Sequence, residues 1–158
     1  MDWIYRHPRL LESILARSSG AIGELMVAEE LANMGYRAGP ASINARQCDI
    51  RVISPRGTEF SIEVKTVKVR GAPYLVRQCP DPSVSSFWVF VHAPRAHDEF
   101  PDPRQMAFRV VKTQETARIW QNKFEGKEPK AADITWRDLQ ALKGQPDPWF
   151  DRWDQLPQ

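Results

Sequence analysis

The tetrapeptide Ser54-Pro55-Arg56-Gly57 constrains this 158-residue chain more than any other feature. Before it, Cys48 to Ile53 is short and β-rich. After it, Thr58 to Val69 alternates, with Phe60, Ile62 and Val64 pointing one way and Glu59, Ser61, Glu63 and Lys65 the other. Pro55, with φ fixed near about −65°, suits the first central position of a type I turn. Arg56 takes the second position, and Gly57 can then turn left-handed. That is a three-residue hairpin loop, and it pairs Ser54 with Thr58. Asp49 then falls directly opposite Glu63, and opposed residues share a face. A one-residue slip would set Asp49 among Phe60, Ile62 and Val64, where a carboxylate is costly.

Lys65 lies two residues beyond Glu63, so both side chains leave the same face of the strand. The register therefore predicts two carboxylates side by side with an ammonium one pleat away. Like charges that close call for a counter-ion. Mg²⁺ (or Mn²⁺) is a hard cation that takes oxygen ligands, often one or two carboxylates plus a substrate phosphate. Such a metal polarises a phosphodiester and lowers the pKa of a bound water. Lys65 is placed to orient that water or to offset charge in the transition state.

Asp49 followed by Glu63-Val64-Lys65 resembles the motif of the PD-(D/E)XK nuclease superfamily. An earlier helix adds to the likeness. Gly20-Ala21-Ile22-Gly23-Glu24, Ala28-Glu29-Glu30-Leu31 and Gly35-Tyr36 look like the first helix of small Holliday-junction-resolvase-like members. The resemblance spans roughly residues 18–92. It implies a restriction-endonuclease-like α-β-β-β-α-β core. It also implies that Glu24 completes the metal shell and that the Val64 carbonyl is a further ligand. Cys48 stands where the family often has proline before the aspartate.

The rest of the chain fits a mixed central β-sheet flanked by α-helices, an α/β fold. Helices are expected over 8–17 and 20–34, the second stopped by Gly35. Strands are expected at Tyr74 to Val76, Phe87 to Val91 and Ala107 to Val111, the middle one apolar enough to be covered on both faces. Residues 93–105 read as a loop. Thr113 is expected to cap a helix carrying Ile119, Trp120 and Phe124, and Thr135 one carrying Leu139 and Leu142. Residues 1–144 would form one nuclease-like domain with an N-terminal helical extension over 1–18. Residues 145–158 would be an arm docked through Trp149 and Trp153.

Composition narrows the function classes. A net charge of +2 from 22 basic and 20 acidic residues says little by itself. The run Lys65, Lys68, Arg70, Arg77 carries no acid, and with Arg46 ahead of Asp49 it could follow a phosphate backbone. The expected partner is nucleic acid, DNA above all, and cutting two strands at once would call for a homodimer. No apolar run spans a membrane and no signal peptide is visible, so a cytoplasmic location is expected. Cys48 and Cys79 form no CxxC, and with His92 and His97 they fit no short zinc spacing. His92 follows the apolar strand closely enough to touch substrate or assist proton transfer, but a hydrogen-bonded structural histidine is the simpler reading. No GxSxG, P-loop or GxGxxG motif is present.

Taken singly, Glu63 and Lys65 are an ordinary strand ion pair, and Asp49 and Glu24 ordinary acids. Their conjunction, in order and on the expected elements, carries the nuclease reading. Two competitors remain. One is a catalytically silent nuclease-fold module that binds nucleic acid or scaffolds a complex. The other is an interaction protein whose acids merely form ion pairs.

Overall fold

The computed structural model describes residues 19–41, 45, 47–69, 71–94, 105–124, 132–139 and 147–158. The first helix, α1 (Ser19–Asn33), turns its apolar residues Ile22, Met26, Val27 and Leu31 inward. It ends as Gly35 predicts. Gly35 has φ +86°, its amide donates to Ala32 O (3.0 Å), and the Tyr36 amide donates to Leu31 O (3.0 Å). That double bond is the Schellman closure, which glycine accommodates without a Cβ penalty.

Five strands make the main sheet: β1 (Arg37–Pro40), β2 (Ile50–Ile53), β3 (Glu59–Val67), β5 (Phe87–His92) and β6 (Ala107–Lys112), side by side in that order. Only β3 and β5 run parallel; the other neighbours are antiparallel, so the sheet is mixed. A two-stranded ribbon pairs β4 (Tyr74–Val76) with β7 (Ala132–Ile134). Two further α-helices among the described residues are α2 (Thr113–Asn122) and α3 (Trp136–Leu139).

The sheet is covered on both faces, which explains the unbroken apolar run of β5. On one face, α1 packs against Ile50, Val52, Ile62, Val64, Val89 and Val91. On the other, the β4–β7 ribbon, α2 and Leu139 of α3 enclose Trp88, Phe90 and Val111. The final residues close the β6 edge. Val110 N–H donates to Trp149 O (3.0 Å), Asp151 N–H donates to Phe108 O (2.9 Å), and Phe150 bridges Arg109. Pairing a strand edge in this way removes a template for association. Trp153 and Leu156 then enter the α1-side core, and Gln158 Nε2 donates to the Tyr36 hydroxyl (2.9 Å).

Some local expectations need correction. β1 and β7 are strands that the sequence does not announce. Arg37-Ala-Gly-Pro is poor in β-formers, and β1 exists because β2 offers it a partner. The segment joining the parallel β3 and β5 carries β4 and no helix among its described residues, unlike the expected α-β-β-β-α-β order. Thr113 does not cap α2. Lys112 occupies the cap position without a side-chain bond, while Thr113 is buried 3.4 Å from Ser85 Oγ. Thr135 stands at the start of α3, but the side-chain acceptor there is Asp138: its Oδ2 reaches back and accepts both the Thr135 amide and the Thr135 hydroxyl at 2.6 Å. The helix expected over 8–17, together with Leu142 and Gly144, lies outside the described residues.

Candidate functional site

The hairpin closes as its turn residues dictate. Gly57 has φ +89°, Gly57 N–H donates to Ser54 O (2.9 Å) and Ser54 N–H donates to Thr58 O (2.9 Å). Ile50 pairs with Ile62 and Val52 with Phe60. Asp49 N–H donates to Ile62 O (2.9 Å), which carries the same register one residue further and sets Asp49 across from Glu63. The Asp49 side chain is fixed there, because its Oδ2 accepts the Val64 amide at 2.7 Å.

Glu63 is 6% exposed, a rare condition for a glutamate unless it is paired. Its partner is Lys65, whose Nζ donates to Oε1 and whose side chain keeps 28% exposure. Burial pushes the Glu63 carboxyl above its usual range. The Lys65 ammonium pulls it back, while the Asp49 and Glu24 charges push it further up. All four residues therefore meet electrostatically at Glu63. Asp49, Glu63 and Lys65 meet in space as well, with the Val64 backbone between them. Glu24 contributes through its field: no group of three or more His, Cys, Asp or Glu is gathered as a metal cluster among the described residues. Cys48 is a buried free thiol whose Sγ faces Ile50 O, and burial raises its pKa.

Three features that position this site escape sequence reasoning. Trp88 stands beside Glu63 in the β3–β5 register, 1% exposed, with the Lys65 Nζ 5.5 Å from its ring centre. Gln47, at φ +50°, donates from Nε2 to Cys79 O (2.9 Å) and accepts the Asp81 amide (2.8 Å). It thereby ties the chain entering Asp49 to the 79–81 loop. Gly23 lets α1 approach β3: a Cβ there would sit 1.8 Å from Thr66 Oγ1. The first two depend on which distant segment comes alongside, and no local pattern announces them. For Gly23, a glycine inside an apolar helix was the available signal.

The basic residues divide. Lys68 is half-buried just past β3 and Arg77 is exposed after β4, while Arg46 and Arg70 lie outside the described residues. His92 ends β5 opposite Val67. The chemistry of the donor set fits a hard cation. Asp49 and Glu63 each commit one carboxylate oxygen to the protein, to the Val64 amide and to Lys65, and each keeps a second.

No protein-family model and no curated protein matches this chain. Among solved structures it is similar to the bacterial homing endonuclease I-Ssp6803I. The identity is 12% and the TM-score 0.53, over 86% of this chain and 88% of that one. The chain shares the mixed α/β fold of that structure. At that identity the likeness concerns architecture, the mixed sheet flanked by helices, and not individual residues. No helix among the described residues is long and apolar enough to cross a membrane.

Proposed function

We propose that this protein is a metal-dependent nuclease of the PD-(D/E)XK type that hydrolyses phosphodiester bonds in DNA. One observation carries the reading: Asp49 and Glu63 stand opposite each other across the β2–β3 hairpin, with Lys65 ion-paired to Glu63 on the same face. A structural role does not explain why acids are set beside a buried glutamate, since they raise the cost of its charge.

In this reading Asp49, Glu63 and the Val64 carbonyl would hold Mg²⁺ or Mn²⁺. Bound there, the ion would supply Lewis-acid polarisation and a more acidic water. Lys65 orients the attacking water and offsets negative charge growing on the phosphate oxygens. Its ion pair with Glu63 and the Trp88 ring beside it restrict where the ammonium can sit. The Val64 amide holds Asp49 in one orientation. Glu24 adds negative potential from α1.

The test is plasmid nicking by the purified chain with Mg²⁺. Cleavage should disappear with a chelator, in Asp49→Ala and in Lys65→Ala. Undiminished cutting by both variants would defeat the assignment. The melting temperature should also rise with Mg²⁺ concentration in the wild type and not in Asp49→Ala.

A silent nucleic-acid-binding module is the second reading, favoured by the absence of a three-acid cluster among the described residues. It predicts a gel shift on DNA with no cutting under any divalent metal.

A further inference from the structure

The strand pairing places two arginines on the site's face. Gly39 of β1 lies opposite Arg51 of β2, and Arg51 lies opposite Ser61, two residues before Glu63. Alternation then sends Arg37, Arg51, Glu59, Glu63 and Lys65 out of one face of the sheet, with Glu59 diagonal to Arg51 on the β3 side and Arg37 diagonal to it on the β1 side. The intervening residues Ala38, Ile50 and Val52 face α1 instead. Arg37 and Arg51 are both exposed, and neither makes an ion pair among the described residues. An open groove of about 590 Å³ runs along the β1 edge here, lined by Ala32, Tyr36 and Ala38 from the α1 side and by Arg37, Gly39, Arg51 and Ile53 from the strand pair. Gly39 leaves the ground between the arginines low: a Cβ there would meet nothing within 4 Å.

We propose that Arg37 and Arg51 form a phosphate-contacting track that holds the nucleic-acid backbone on the β1–β2 face, beside the Asp49–Glu63 site. The inference rests on the nuclease reading and adds a place for the substrate to lie. The two arginines occupy diagonal positions on adjacent strands, about 7–8 Å apart at the backbone. One nucleic-acid strand advances about 3.4 Å per phosphate, so two nearby phosphates of a strand match that spacing. Guanidinium groups suit phosphate because their donors form a planar fork. Charge also favours this edge. The acids at the site repel a phosphodiester, and the cations on β2 and β1 offset the repulsion without occupying the site. An acidic peptide would satisfy the arginines equally, but nothing would draw it along a face that continues into carboxylates.

The experiment measures fluorescence anisotropy of a fluorescein-labelled DNA duplex with the full chain, in chelator to prevent cutting, across a salt series. Plasmid nicking with Mg²⁺ is read in parallel. Arg37→Ala and Arg51→Ala should each weaken binding and flatten the slope of log K against log salt by about 0.9, and the double variant by about 1.8. Arg37→Lys and Arg51→Lys should keep the slope, and melting temperatures should match the wild type, which separates lost contacts from lost folding. An unchanged slope in the double variant, while wild type still nicks plasmid, would sink the track and leave the nuclease reading standing. Polyglutamate that competes as well as DNA would also overturn it. If the wild type neither binds nor nicks DNA, both readings fall.

Discussion

Two buried ion pairs sit on the same face of the sheet and are built differently. Lys65, Phe90 and Arg109 share one row across β3, β5 and β6, with Glu63 and Trp88 in the next. Arg109 is 3% exposed, and its Nε and Nη2 both lie 2.5 Å from Asp147 Oδ2, supplied by the C-terminal segment. Phe150 of the same segment lies 5.7 Å from the guanidinium. That pair is closed: opposite charges, a remote partner and aromatic cover. The Glu63–Lys65 pair is open. Its partners sit two apart on one strand, the lysine is partly exposed, and Asp49 and Glu24 add like charge. The closed pair pins the tail. The open pair holds a carboxylate whose burial and acidic neighbours raise the cost of its charge.

The largest effect expected from this contrast is on rate. Lys65→Met should lower DNA cleavage by about 10²- to 10⁴-fold, the range of a lost acid–base or orienting group. Its melting temperature should fall as well, because Glu63, 6% exposed, loses the ammonium that offsets its burial, so the rate is read on the folded fraction. A cleavage rate within a few-fold of wild type would make the two pairs equivalent. Asp147→Asn should act on stability alone. Removing one partner of a buried pair costs about 3 kcal/mol, read as a lower denaturation midpoint, with the cleavage rate of the folded fraction retained. Glu63→Gln completes the comparison: it relieves the like-charge burden, so stability should hold or rise. A loss as large as that of Asp147→Asn would show that Glu63 is held for folding.

A smaller effect separates the two regions through the backbone. α1 comes close to β3 at Gly23, beneath the site, and among the described glycines none makes a comparable approach beside Arg109. Gly23→Ala should cost about 1–3 kcal/mol from overpacking against Thr66. Because Glu24 is the next residue, cleavage should fall with it. Thr66→Ala in the same chain removes the atom struck and should restore part of both. A Gly23→Ala variant as stable as wild type would mean that the helix can shift without consequence.

The open pair was legible in the sequence and the closed one was not. Pro55 and Gly57 restrict the backbone through covalent and steric rules that act within a few residues, so the register and the shared face of Asp49, Glu63 and Lys65 follow locally. Alternation in β3 and the stop at Gly35 are legible for the same reason. Arg51 follows from the same register, which sends it to the site face, whereas Arg46, Lys68, Arg70 and Arg77 stand out in the sequence by charge alone. By contrast, β1, the Trp88 contact and the Arg109–Asp147 pair depend on which segment folds alongside. An arginine inside Ala107-Phe108-Arg109-Val110-Val111 signalled a buried charge, but nothing local named its partner. Gln47 shows the same limit, since its hydrogen bonds reach the 79–81 loop.

The smallest effect concerns a third ion pair that sets the baseline for both. Lys123 Nζ lies 2.6 Å from Asp138 Oδ2, with both side chains partly exposed. Burial works against the Asp138 charge. The Lys123 ammonium, with the Thr135 hydroxyl and amide, outweighs it and holds the carboxyl below its ordinary value. The unfolded chain therefore takes up that proton first as pH falls. The stabilisation is complete above the ordinary carboxylate range and disappears as pH drops through the depressed folded-state value. Exposed pairs contribute about 1 kcal/mol or less, so the signal must be read as a difference. The melting temperature of wild type should exceed that of Asp138→Asn at neutral pH, and the gap should close in acid. A gap that stays open at low pH would assign the effect to the Thr135 hydrogen bonds alone, and Asp138 would then cease to be a charge baseline for the two buried pairs.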